Sequence, residues 1–560
     1  MQEKNKKRII EIGICILPFI ALVIPSAYKW IGFFNLCVCC ILSVYLCEQT
    51  PNSKLYLVCC SITIIQIIIV LLLLNHFNIK SLYATYSIGL ELLIYLTGLL
   101  TYYGTYIKQW KVENVFLVIS IVFGCFMTLN LPIKAVPDER THLYTAYAIS
   151  DRMLTGFNKE KENFTIRQQD EELLQQNIEY GNSIDIMNWY YSQITHKSYG
   201  DSLELAVSNG LSSNHIAYYI PAGAIAICRS LNCNAFWTLM SGRIINYLQY
   251  ILLIYFSIKL IPFAKLLPFT IALYPMAVQQ GMSYSYDCLV IALSIFVIST
   301  SLSYKYGDLS KYKKYIQLFL VALASILLFA LKSHSYAFIS LVPIVVLLSD
   351  RKWFQIIFKI GVGILCIFGI GFVLYAILDK IFQFPDILVE PDNPIVWAGN
   401  IQGYTLQYFI NEPYDFIIVN LRTLKHDIFY FFFSAISSYL GWLNVGTPKV
   451  LAFIFFGLSG LSVFSNTTNE KMNRYIKTYF GITVIFTELA ITFALLVGHT
   501  FKYAGLALGL QGRYFLPLIM PLLLICQGNK KRLSLQIERA IPSVLVILLM
   551  LEAYFLICRF

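Results

Sequence analysis

The stretch VFLVISIVFGCFMTLNLPIKAVPDERTHLYTAY, residues 115–147, decides how the chain is read. Its first half, 115–131, is apolar and close to the roughly 20 residues a helix needs to cross a bilayer core. Its second half turns polar at once. Pro137-Asp138-Glu139-Arg140-Thr141-His142 puts two carboxylates and an imidazole directly after the span. Pro137 suits a helix start, and acidic side chains in a first turn favour the helix dipole. Leu143, Tyr147, Ser150 and Leu154 then recur at helical spacing. The segment reads as a juxtamembrane helix with Asp138 and His142 on one face.

The rest of the chain has the same character. Of its 560 residues 58% are hydrophobic, 15% aromatic and only 13% charged, and the mean hydropathy is +0.66. Soluble domains carry about a quarter charged residues. A cytosolic enzyme, a disordered chain and a nucleic-acid binder are therefore excluded, and an all-α, polytopic membrane bundle remains. The net charge of +11 lies in short basic clusters between apolar runs, the pattern of cytoplasmic loops. Most of the 14 cysteines sit inside apolar runs as small hydrophobes. Cys228 and Cys233 alone lie near a polar stretch, where a disulfide is conceivable.

About fifteen apolar runs are long enough to be spans. Five lie near 9–28, 30–47, 55–74, 83–103 and 115–131. Ten lie near 240–258, 266–282, 288–303, 316–331, 336–348, 354–378, 449–465, 476–497, 513–528 and 541–558. The first reads as an anchor, since no convincing cleavage site follows it. Lys4, Lys6, Lys7 and Arg8 place the N-terminus in the cytoplasm. Counting spans then puts every basic cluster inside, provided 215–231 lies on the outer face without crossing. Two long segments fall outside, about 132–239 and 379–447, the latter with an aromatic interfacial stretch from His426 to Trp442. Between Asp138 and Glu204 there are twelve acidic and six basic residues, an acidic outer segment against a basic remainder. No Walker-type glycine loop is present.

Chemistry-bearing residues recur at the outer span ends. Asp138, with Glu139 and His142, reads either as an ordinary acidic helix start or as a general base with a helper. Asp287 follows Ser283-Tyr284-Ser285-Tyr286 and reads as a cap or as a second acid. Lys332 either snorkels to water or holds a lipid phosphate. Arg513, in Gln511-Gly512-Arg513-Tyr514-Phe515-Leu516-Pro517, costs a few kcal/mol at that depth without a partner. Tyr218 and Tyr219 follow His215 and read first as interfacial belt residues. Together these residues suit a site where a carboxylate removes a hydroxyl proton while cations hold a phosphate leaving group.

The ordered set of segments resembles the bacterial multi-pass family catalogued as domain of unknown function 2142, grouped with the GT-C membrane glycosyltransferases. The resemblance covers about 115–530. It rests on Pro137-Asp138-Glu139 with His142 and Tyr144–Tyr147; Tyr218-Tyr219-Ile220-Pro221; Arg243 with Asn246; Leu273-Tyr274-Pro275-Met276; Ser285-Tyr286-Asp287; Lys332 with Tyr336; Gly441-Trp442-Leu443 with Pro448; and Gln511–Pro517. The chain departs from it at Val136-Pro137, where the family has two prolines. It departs again at Lys332-Ser333-His334-Ser335-Tyr336, in place of Lys-Pro-Pro-Tyr, and the His215 segment lacks the paired prolines common in these enzymes.

The resemblance implies a GT-C-like core over 111–530 with interfacial helices in its outer loops. A four-span extension, 1–110, precedes it and a terminal span, 531–560, follows. It implies inverting sugar transfer from a polyprenyl-phosphate carrier to a cell-envelope glycan or lipid-linked acceptor. Asp138 would be the base, with Glu139 the alternative, and Asp287 the second acidic residue. Lys332 and Arg513 would bind the carrier phosphate. Gln511, Tyr514, Tyr218, Tyr219 and Trp442 would complete the substrate site. Some members of that class use a divalent metal, Mg or Mn, and Asp138, Glu139 and His142 are the residues that would ligate one. Ile-, Asn-, Lys- and Tyr-rich usage suggests a low-GC bacterium, hence a plasma membrane with the site facing outward. Two other readings stand beside this one. A transporter or flippase would use Glu91, Glu488 or Glu552 near the midplane. A glycan polymerase or ligase would use Arg422 and His426.

Overall fold

The computed structural model describes residues 82–560, apart from 157–162, 179–182, 199–201, 208–214, 379–395, 397–400, 466–471, 503, 529–532, 558 and 560. The first three predicted spans, the N-terminal basic cluster, most of residues 379–400 of the predicted outer segment 379–447, and the basic residues Lys471 and Lys530–Arg532 lie outside the described residues.

The chain begins with two long helices, α1 (Leu82–Tyr102) and α2 (Val112–Asn130). A cap follows, built from α3 (Glu139–Thr155), strand β1 (Asn163–Arg167), α4 (Gln168–Gln175), α5 (Ile184–Ser192), strand β2 (Leu203–Val207) and α6 (Tyr219–Ser230). The two strands pair antiparallel. The bundle resumes with α7 (Ala235–Leu260), α8 (Leu266–Ala272), α9 (Pro275–Gly281), α10 (Asp287–Tyr306), α11 (Lys311–Ser340), α12 (Val342–Leu348) and α13 (Lys352–Leu378). It closes with α14 (Leu406–Asn411), α15 (Pro413–Ile436), α16 (Lys449–Ser462), α17 (Arg474–His499), α18 (Leu516–Leu524) and α19 (Leu535–Ile557). Between α15 and α16, β3 (Tyr439–Leu440) and β4 (Val445–Gly446) form a short hairpin.

Among the described residues, five helices are long and apolar enough to cross a membrane: Val112–Asn130, Asp287–Tyr306, Lys311–Lys332, Arg474–His499 and Leu535–Ile557. Three further predicted spans are shorter apolar helices, at Ser335–Leu348, Lys449–Ser462 and Gly512–Leu524. The runs at 83–103, 240–258 and 354–378 are the long helices α1, α7 and α13, which stand outside the set of five. The run at 266–282 is not one helix. It breaks between α8 and α9 because Pro275 has no N–H to continue the ladder and instead starts a new helix. The break is buried, so the freed carbonyl of Ala272 needs a donor. The Tyr250 hydroxyl supplies it at 2.8 Å.

One other expectation changes. Residues 332–336 do not form a loop: α11 runs through them, with non-helical backbone at Lys332 and Tyr336. Most of the aromatic stretch from His426 belongs to the 24-residue helix α15. The 215–231 stretch gives a 12-residue helix, too short to span a bilayer core, as expected. Across the divisions drawn at 110 and 530, α1 packs on both α2 and α19.

Basic clusters gather at one end of the bundle. Ala264 donates its N–H to Ser465, Lys305 reaches Asp350 at 2.7 Å, and Asn473 bonds both Tyr306 and Asp350. The cap covers the other end.

The cap is tied to the bundle through one buried ion pair. Arg243 of α7 and Glu139, first residue of α3, are both 0% exposed. Arg243 Nε donates to Glu139 Oε1 at 2.8 Å and Nη2 to Oε2 at 2.5 Å. Its remaining N–H groups go to the carbonyls of Leu131 and Pro132, each at 2.7 Å, and to the Met282 sulfur at 3.8 Å. Glu139 also accepts the N–H of Tyr284 at 3.1 Å. Removing one partner of such a pair costs about 3–5 kcal/mol, because the other is left charged and buried. Arg243→Ala will therefore lower the unfolding temperature of the detergent-solubilised protein sharply. Asp350→Ala, at the opposite end and 71% exposed, removes a pair worth about 0–1 kcal/mol. Equal losses in the two variants would refute the central role of Arg243.

Candidate functional site

The segment 131–138 leaves α2 and is held by side chains from distant parts of the chain. Besides Arg243, Lys134 buries its ammonium on the carbonyls of Leu174 and Gln176, at 2.6 and 2.9 Å. Trp442, on the hairpin, donates its indole N–H to the Lys134 carbonyl at 2.7 Å. Arg513 donates to the Pro137 carbonyl at 3.1 Å. With the segment so fixed, Asp138 sits at the N-cap of α3 with φ +65°. Left-handed backbone is costly for a residue with a side chain, though aspartate tolerates it better than most. It turns the Asp138 side chain out of the helix, and that side chain is 60% exposed.

Arg513 is the hub. Its Nη2 lies 3.0 Å from Asp138 Oδ2, and its Nε lies 3.5 Å from Asp287 Oδ2, an ion pair without hydrogen-bond geometry. Lys332 lies 4.0 Å from the other oxygen of Asp287. Its ammonium stands over three rings, Tyr514 at 4.6 Å, Tyr286 at 5.2 Å and Tyr336 at 5.9 Å. Such faces attract a cation electrostatically. The kink in α11 is what aims Lys332 here: φ −155° and ψ 63° take it off the helical path. Asp287 starts α10, and Ser285 Oγ accepts its N–H.

Gly512 sets the depth of Arg513. A Cβ there would come within 2.3 Å of the Ala435 nitrogen and the Phe431 oxygen of α15. Backbone cannot yield as a side chain can. Glycine is needed because the two chains touch.

His142 completes the cluster. Its Nδ1 lies 2.7 Å from the Tyr218 hydroxyl, and the direction of that bond follows the imidazole tautomer. Its ring stands edge-on to Tyr286 at 5.3 Å. Burial pushes the His142 imidazole down to about 4, with Arg513 adding to the effect and the nearby carboxylates opposing it. His142 is therefore neutral at pH 7.

Asp138, His142, Asp287, Lys332, Arg513, Tyr514 and Tyr218 thus converge. Glu139 does not join them: the bidentate bond to Arg243 and the Tyr284 N–H occupy both its oxygens, so it anchors the segment to the bundle. Trp442 positions the loop from behind. Tyr219 is 47% exposed. Gln511 precedes the turn carrying Arg513, and its side-chain oxygen is buried with no hydrogen-bond partner among the described residues. Tyr286 and Arg243 were not counted as site residues from sequence. An arginine inside an apolar run was the available signal for Arg243.

The metal set does not fit. Glu139 is spent on Arg243 and His142 Nδ1 on Tyr218, and Arg513 already stands between the two aspartates. No three His, Cys, Asp or Glu side chains are placed to hold one metal ion among the described residues.

The chain belongs to the family of predicted membrane proteins DUF2142, which matches residues 121–522, more than half of its length. No curated protein and no solved structure matches it.

The neutral buried histidine has a pH signature. Below the ordinary histidine value of 6.5 the unfolded chain takes up a proton that folded His142 refuses until about pH 4. Its contribution is present above 6.5 and is lost as pH falls through that window. The unfolding temperature of the wild type, relative to His142→Gln, will fall between pH 7 and pH 4. A difference that stays constant with pH would rule this out.

Proposed function

We propose that the protein is an integral-membrane glycosyltransferase of GT-C type. It moves a sugar from a polyprenyl-phosphate carrier to a cell-envelope glycan or lipid-linked acceptor on the outer face of a bacterial plasma membrane. The observation that carries this reading is one exposed carboxylate, Asp138, bonded to a buried arginine that also faces Asp287. Two cations and two carboxylates balance in the resting site.

The steps follow from that balance. The donor phosphate takes Arg513 and Lys332 as its counter-charges and draws Arg513 away from Asp138. Released, Asp138 faces the acceptor hydroxyl and removes its proton as the oxygen attacks the anomeric carbon. The bond between that carbon and the phosphate oxygen breaks, and the carrier phosphate leaves with its charge held by the two cations. Asp287 keeps Lys332 and Arg513 together while the site is empty. His142 and Tyr218 border the reaction space without adding charge.

Transport of a lipid-linked saccharide is the second reading. Glu91 in α1 favours it: the residue is fully buried, and neither carboxyl oxygen has a hydrogen-bond partner among the described residues. Glu488, by contrast, accepts from Asn420 and Thr492, and Glu552 from Thr447.

Mass spectrometry of polyprenyl-phosphate sugars separates these readings. Lipid extracts would be compared from cells carrying wild type, a deletion and Asp138→Asn at matched expression. Transfer will fall by about 10²–10⁴ in Asp138→Asn, the usual share of a general base. One sugar-carrier species will then accumulate in both altered strains, and one sugar will disappear from the envelope glycan. An unchanged lipid pool in both strains would sink the transferase. A change in the deletion alone would remove Asp138 as the base.

A further inference from the structure

The cap contains a second concave site that the charged cluster does not use. A cavity of about 240 Å³ opens between α4, α5 and the start of α7. It has room for a single sugar ring. Its floor is apolar, from Leu173 and Phe236, 4% and 1% exposed. Trp189 forms one wall and is 37% exposed. The remaining lining is dominated by side-chain amides, among them Gln169, Gln176 and Gln193.

The amides are held in place. Gln193 donates its side-chain N–H groups to the Trp189 carbonyl and to Ser192 Oγ, at 3.4 and 3.2 Å. Its carbonyl oxygen remains an acceptor. Gln169 donates to Ser198 at 3.0 Å in the same way. Asn234 ties the walls together, with its amide nitrogen on the carbonyls of Gln193, Ile194 and His196 and its oxygen capping α7. Among the described residues that line it there is no lysine or arginine; Glu172 and His196 are the titratable ones.

We propose that this cavity binds a neutral saccharide. The Gln193 carbonyl oxygen can accept from a sugar hydroxyl, and the second amide hydrogen of Gln169 can donate to one, which matches the dual character of sugar hydroxyls. An indole offers an apolar face to the C–H side of a pyranose while its rim stays wet. The absence of cations in the lining disfavours phosphates and uronates. An apolar floor with a few fixed polar groups is the general form of a small-ligand site.

The cavity also communicates with the chemistry. Lys134, four residues before Asp138, anchors its ammonium on the carbonyls of Leu174 and Gln176, which flank the cavity wall. A saccharide seated between α4 and α5 therefore braces the same segment that presents Asp138. Calling the bound saccharide the acceptor rests on the transferase reading; its binding does not.

The test uses the full-length protein in detergent micelles and saturation-transfer NMR. The probe is the pool of neutral oligosaccharides released by mild acid from the envelope of the expressing cells, with the anionic fraction of the same extract beside it. Ring protons of the neutral fraction will show saturation. Trp189→Ala and Gln193→Ala will each weaken binding by about tenfold, the loss expected for one or two hydrogen bonds or a stacking face. Asp138→Asn will bind as the wild type does. No signal from neutral saccharides, signal from the anionic fraction alone, or unchanged binding in both cap variants would overturn the proposal. Retained binding with an unaltered lipid-linked sugar pool in both the deletion and Asp138→Asn would leave the cavity standing and remove the transferase.

Discussion

The architecture depends on a single arginine that has no contact with water. Arg243 carries a full charge into the protein interior, where an unpaired ion is prohibitive. Its partners are therefore obligatory: one carboxylate and two backbone carbonyls, all from the segment between α2 and α3. By satisfying itself, Arg243 fixes where the bundle ends and where the cap begins. Glu139 then reaches on to Tyr284, which brings the start of α10 to the same place. Asp138 and Asp287 are neighbours because of residues adjacent to them that do no chemistry.

A division of labour follows between adjacent residues. Glu139 is buried and Asp138 exposed; Gly512 permits close approach and Arg513 uses it. Trp442 and Lys134 hold the loop from behind, while Lys332 meets it from the front. Each charged group of the cluster stands beside a group that positions it. The polar cap repeats this logic: buried Asp151 accepts from Thr165 and Arg229, and Asp170 from Tyr147 and Arg167. These fully paired carboxylates stiffen the layer on which both the charged cluster and the amide-lined cavity stand.

Much of the site was legible in the sequence because its residues are chemically out of place. Asp138, Asp287, Lys332 and Arg513 each interrupt an apolar run at a span end, and ionisable groups there call for a reason. The helical class was legible from hydropathy alone. Less visible were features in which backbone geometry overrides pattern. The Tyr274–Pro275 break interrupts a run whose hydropathy never falls. The kink at Lys332 hides inside helical spacing. The pairing of Glu139 with Arg243 spans 104 residues, and no local periodicity announces it. Two adjacent acids look alike in sequence, and only burial separates anchor from actor.

The distances along the chain have a consequence for biogenesis. Arg513 and Asp138 are 375 residues apart, whereas Arg243 and Glu139 are 104 apart. During synthesis the anchor pair can close soon after α7 has emerged. The charged cluster must wait until nearly the whole chain has been made, because loops of that length close late. Through that interval Asp138 stands without its arginine, and Asp287 and Lys332 have only each other. A nascent chain halted at the end of α17 would have its cap and most of its helices, but not the arginine that completes the charged cluster.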